Sequence, residues 1–108
     1  MKLEEAKSII QLQAMSEQGA MWKIRENIID EIGFSSLLKA IEAYKEYVSG
    51  EQYIEREIIA CLFEMPWEIE NTRHHYMERE GKEKALLVDN IADKLRMAIS
   101  DLVWDSKA

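Results

Sequence analysis

Apolar side chains recur every three or four residues along almost the whole chain, and no pair of segments alternates with period two. A period near 3.6 places those side chains on one stripe of a helix, whereas a half-buried strand needs every second residue. The one candidate strand is the apolar run from Ile58 to Phe63. A strand without a partner leaves its backbone groups unpaired, so helix is the consistent reading there too. The pattern predicts an all-α fold: a single-domain bundle over residues 1–108, built from five or six amphipathic helices, with a proline corner near residue 66.

Glycine and proline divide the pattern. The first helix is expected over about 3–17, with Leu3, Ala6, Ile10 and Ala14 on one side. Gly19 either breaks it from the next helix or lies within one bent rod, since a glycine inside a helix costs only about 1 kcal/mol. The second, over about 20–32, buries Met21, Ile24, Ile28 and Ile32 and wets Lys23, Glu26, Asn27 and Asp30, with Gly33 as its left-handed C-cap. The third, about 35–48, turns Leu37, Leu38, Ile41, Tyr44 and Val48 inward and ends at Gly50.

A fourth helix over about 51–65 contains the apolar run, and a helix apolar on nearly every side is expected at the centre of the bundle. Pro66 ends or kinks it and starts a fifth, since proline lacks the amide donor yet suits a first helical turn. That helix runs to about Arg79. After Gly81 the last helix, about 82–104, carries Ala85, Val88, Ile91, Leu95, Ile99 and Leu102 in unbroken period. At 1.5 Å per residue it is a rod of about 35 Å, expected to pack along the fourth.

Charge and composition exclude several functions. With 21 acidic and 14 basic residues the chain carries a net charge of -7. Nucleic-acid binding rests on neutralising phosphates, which this chain repels on average. The longest apolar run is far below the ~20 residues needed to cross a bilayer. The N-terminal residues lack the apolar core of a signal peptide, and one cysteine in an apolar run suits a reducing compartment. A cytoplasmic protein is expected, with neither nucleic acid nor membrane as partner.

Catalytic signals are few. Cys61 has no second cysteine and no adjacent basic residue to activate it, so it is expected to be a buried structural thiol. His74 and His75 are adjacent, which separates them by about 100° on a helix, and Glu70 with His74 makes only half of a carboxylate–histidine site. No metal or other cofactor is expected, and no catalytic residue is assigned.

Glu64 and Glu68 are four apart, as are Asp89 and Asp93, and two facing carboxylate pairs could hold magnesium against a nucleotide triphosphate. In this the chain resembles the helical nucleotide pyrophosphohydrolases of the MazG type, which implies a divalent-metal-dependent hydrolase as the alternative function. The resemblance departs in spacing, since that family sets its acidic pairs three apart.

The segment after Pro66 is the one that packing explains least. Its apolar stripe is thin, essentially Ile69, Thr72 and Tyr76, and the candidate partner-binding residues on the segment are Trp67, Glu68, Glu70, Asn71, Arg73, His75 and Tyr76. An aromatic residue ringed by charges suits a partner-binding anchor; against that, Trp67 could fold over the core beside Phe63 as a lid. Trp22 and Trp104 fall on apolar faces and are expected to pack, or in the second case to form a homodimer seam.

The expected function is binding without catalysis: a small acidic module that docks on another, basic protein. Its concrete form is an inhibitor of a nucleic-acid-targeting partner, as a bacterial immunity protein neutralises a toxin domain. A structural or regulatory homodimer is the remaining class.

Overall fold

Six helical segments follow one another in the chain: α1 (Leu3–Met15), α2 (Ala20–Arg25), α3 (Glu31–Val48), α4 (Arg56–Phe63), α5 (Met65–Arg79) and α6 (Lys82–Val103). They come from a computed structural model that describes residues 1–104, without the His74 side chain. The all-α class holds, and no strand occurs among the described residues. The bundle has four long helices rather than five or six amphipathic ones, because α2 and α4 are short, of 6 and 8 residues.

The long helices form a connected set: α1 lies against α3, α3 against α6, and α6 against α5. On the remaining side α2 bridges α1 and α5, while α4 lies on α1. The core they enclose draws Ala6 and Ile10 from α1, Leu37 and Ile41 from α3, Leu62 from α4, Ile69 from α5 and Leu95 from α6. The fourth helix is not the centre. Its Ile58, Cys61 and Leu62 are buried, but Ala60 and Phe63 face water, and α6 packs along α5 and α3 instead. Burial raises the Cys61 thiol above its ordinary value, and the charge of Glu57 adds to this, as suits an inert structural thiol.

The second helix stops a full seven residues before the expected Ile32. Asn27 takes a left-handed conformation at φ 66°. The Ile28 amide donates to the Lys23 carbonyl at 3.0 Å and the Asn27 amide to that of Ile24 at 3.3 Å, the paired bonds of a Schellman motif. Helix α3 then begins under its own cap: the Asp30 carboxylate accepts from the Gly33 amide at 2.9 Å and from Lys23 Nζ at 3.0 Å.

Gly33 is therefore inside the first turn of α3 rather than a C-cap. A Cβ there would meet Asp30 Oδ2 at 2.6 Å and Gln13 Oε1 at 2.9 Å, so the close approach of the capping carboxylate requires glycine. Ile28 and Ile32, expected in the core, are exposed, Ile32 at 85%.

The stretch before α4 is also shorter in helix than the sequence suggested. Residues 51–55 are non-helical, and Glu55 is held in place by Tyr44, whose hydroxyl accepts from the Glu55 amide at 3.1 Å, and by Lys7 at 2.8 Å. Gly19 does break the first two helices apart. It is buried, and a Cβ on it would press into the carbonyl oxygens of Leu12 and Gln13.

Candidate docking surface

Glu64 alone separates α4 from α5, and it keeps right-handed helical angles, φ -91° and ψ -11°. Pro66 falls in the first turn of α5, where an amide donor is not needed. The helical phase consequently runs through the junction. Ile58, Cys61, Leu62, Met65, Ile69 and Tyr76 are all buried, at spacings that share one face. The proline marks a start without turning the register.

The opposite face of this ridge is exposed. Phe63 and Trp67 are four residues apart across the junction and stand 69% and 67% open to solvent. Trp67 is therefore no lid over the core. Glu64 lies between them in sequence, and Asn71 follows Trp67 by one turn; both are exposed. Single exposed apolar residues are ordinary, but two aromatic rings on successive turns form a patch. Trp67 was legible as a candidate, whereas Phe63 was hidden because it closes an apolar run that reads as core.

Beside this face, α2 contributes a second arrangement. The Arg25 guanidinium stacks 5.5 Å from the centroid of the Trp22 ring and hydrogen-bonds Glu68 of α5. That hydrogen bond raises the Arg25 pKa above its ordinary value more than burial lowers it, and the charges of Glu68 and Glu64 raise it further. Trp22 is thus a partly exposed stacking surface, not the packing residue expected, and Trp104 at the end of α6 is also exposed.

The remaining members of the expected site are divided. Tyr76 is 0% exposed, and its hydroxyl donates to the Ile24 carbonyl at 3.0 Å, so it pins the end of α2 and cannot meet a partner. Glu70 is bonded to Arg96, and Arg73 to Asp89 at 3.3 Å; both pairs stitch α5 to α6. Glu68 is committed to Arg25. Trp67, Asn71 and His75 are exposed with no side-chain hydrogen bond among the described residues. Glu68 and Glu70 are each offset by a guanidinium, so the uncompensated carboxylate on this face is that of Glu64.

Of the two acidic pairs, Glu68, Asp89 and Asp93 are each offset by an arginine, and Glu64 has no ion-pair partner among the described residues. Asp89 faces Arg73, and Asp93 accepts from Arg96 at 3.0 Å. Among the described residues no three His, Cys, Asp or Glu side chains are grouped to hold a metal ion. The expected half-site of Glu70 with His74 falls outside the described side chains. A concavity lies elsewhere, an open groove of about 850 Å³ between α3 and α6. Leu38, Ile41, Met97 and Ala98 line it with Glu42, Glu46 and Asp101 against Lys45 and Lys94, so its charges are mixed with one acidic residue in excess. No described helix is long and apolar enough to cross a membrane.

The chain matches no protein-family model, no curated protein and no solved structure.

Proposed function

We propose that this protein is a non-catalytic docking module that meets a basic protein partner with the outer face of α4 and α5. The concrete form is an inhibitor that covers the phosphate-binding surface of a nucleic-acid-targeting protein, in the manner of an immunity protein. The observation that carries the reading is the exposure of Phe63 and Trp67 on successive turns, with Glu64 between them and Glu68 and Glu70 at the rim. Fully burying an aromatic side chain is worth roughly 1.5–3 kcal/mol, and this pair leaves most of that unrealised until a partner arrives. The net charge of -7 adds steering toward a basic surface and repels nucleic acid itself.

The test is a native pull-down from the source cell with the unaltered chain and with Trp67→Ala and Phe63→Ala. A basic, nucleic-acid-acting protein captured by the unaltered chain and lost with either variant supports the reading. A partner retained by both variants removes this face from it, and a captured protein that is acidic removes the inhibitor form.

One observation favours a second reading. Leu86, Met97 and Trp104 are exposed and spaced so that they share one side of α6 and its C-cap. A homodimer seam there predicts a sedimentation mass of two chains, reduced to one by Met97→Glu.

A further inference from the structure

Resting on the docking reading, we infer that the outer face of α4 and α5 recognises arginine side chains of its partner in preference to lysine. The molecule already holds one guanidinium in the required way. Arg25 lies over the Trp22 indole at 5.5 Å and is hydrogen-bonded by the Glu68 carboxylate, so its flat face and its donor edge are both satisfied. A guanidinium is planar, weakly hydrated and fork-shaped, which suits an indole below and a carboxylate beside it; an ammonium is a compact, strongly hydrated point charge that gains less from the ring.

The same two components recur one turn along the ridge with no cation between them. Trp67 offers an indole that is 67% exposed. Glu64, three residues earlier on the same side, is exposed and forms no ion pair among the described residues. Asn71, exposed one turn after Trp67, supplies an amide oxygen, an acceptor for the guanidinium donors that the carboxylate does not use.

The filled and the open arrangement adjoin, since Glu68, which holds Arg25, directly follows Trp67 in α5. A guanidinium arriving at Trp67 therefore enters a site whose carboxylates outnumber its cations: Glu64 and Glu68 against Arg25 alone. Charge by itself would accept lysine equally, so the indole and the planar acceptors set the preference.

The experiment titrates the full chain with a short peptide of alternating arginine and serine and with its lysine twin. Binding is followed through the indole N–H signals of the three tryptophans by NMR, assigned with Trp→Phe variants. The expected result is movement of the Trp67 indole and an affinity about two- to fivefold higher for the arginine peptide, the range of one exposed cation–π contact. Trp67→Ala should erase the preference, Glu64→Gln should weaken the binding of both peptides, and Trp22→Phe should leave the Trp67 response in place.

Equal affinity for the two peptides with the Trp67 signal still moving overturns the arginine inference and leaves the docking face standing. Binding that ignores Trp67→Ala, or no binding at millimolar peptide, overturns the inference as well. The docking reading then depends on the pull-down alone, where loss of the partner with Phe63→Ala is independent of the residue type recognised.

Discussion

Two helix junctions in this chain carry opposite signals, and each signal misleads in its own way. Between α2 and α3 the apolar period runs on unbroken through Met21, Ile24, Ile28 and Ile32, yet the chain leaves the helix at Arg25. Between α4 and α5 a proline announces a stop, yet the buried face continues through it in phase. The difference lies in local backbone chemistry. At the first junction Asn27 can enter the left-handed region, Asp30 can cap, and Gly33 admits the capping carboxylate; together these outweigh two isoleucines. At the second, proline falls in the first turn, where its missing donor costs nothing. Periodicity tells which side of a helix is apolar, and the capping residues tell where the helix is.

The largest expected effect tests the continuous ridge. Leu62→Ala, at the end of α4 and buried, should cost about 2–5 kcal/mol, the range for deleting a packed leucine. Urea unfolding would show it as a lowered midpoint with an unchanged slope. A cost under about 1 kcal/mol, the size of a surface change, would mean that α4 is a loose corner and that the ridge does not run through Glu64.

The first junction should respond at intermediate size. Asn27→Ala forces an alanine into the left-handed region and should cost about 1–2 kcal/mol, whereas Asn27→Gly should be neutral or slightly stabilising. Asp30→Ala should cost about 1 kcal/mol through loss of the cap. The Gly33 amide and then Lys23 hold the Asp30 carboxyl below its ordinary value. A depressed acid stabilises the fold above its unfolded value and loses that contribution as pH falls through the folded one. The penalty of Asp30→Ala should therefore be full at neutral pH and shrink below the usual aspartate range. Melting curves across that range, compared with the unaltered chain, read it directly. A penalty that does not change with pH would remove the cap from the account of the junction.

These junctions also mark what the residues could reveal before the fold was seen. The helical class follows from the 3.6-residue period, and the glycine boundary at Gly81 follows from backbone freedom, its φ being 96°. The α2 boundary was written in Asn27, Asp30 and Gly33: the first two also look ordinary on a wet helix face, and the glycine reads as a C-cap six residues too late. The site was half legible. Trp67 stood out because its neighbours are polar, while Phe63 was masked by the apolar run before it. Tyr76 looked like a member of the same polar segment, but its heptad spacing from Ile69 puts it on the buried side, where its hydroxyl finds the Ile24 carbonyl. Partners across helices, such as Arg25 with Glu68 and Arg96 with Glu70, depend on tertiary contacts that no local spacing contains.

A third substitution separates the two junctions further. Pro66→Ala adds an amide donor at a first-turn position and frees the unfolded chain slightly, so stability should move by less than about 1 kcal/mol. Helical content by circular dichroism should be unchanged or marginally higher. A large loss would show that proline holds the ridge in shape rather than tolerating it.

The smallest expected effect on stability is at the exposed residues, and it bears most on function. Ile32→Ser and Trp67→Ala should each change stability by no more than about 0.5 kcal/mol, because neither side chain is buried. Under the periodic reading Ile32 belonged to the core and under the lid reading so did Trp67; either would then cost several times that amount. The two positions should part company in binding. Ile32 is one exposed aliphatic side chain, whereas Trp67 shares its face with Phe63 and the carboxylate of Glu64, so Trp67→Ala should weaken partner binding by an anchor's worth of about 2 kcal/mol or more. Most of that should appear as faster dissociation. Charge is better probed at Glu64→Gln than at Glu68 or Glu70, since changing either of those also breaks an ion pair to Arg25 or Arg96 and confounds binding with packing. Glu64→Gln should slow association and flatten its salt dependence with the melt unchanged. An unaltered melt with weakened binding in both Trp67→Ala and Glu64→Gln places the anchor and its charge on one surface, whereas weakened binding in Ile32→Ser alone would move the contact to the α2–α3 junction.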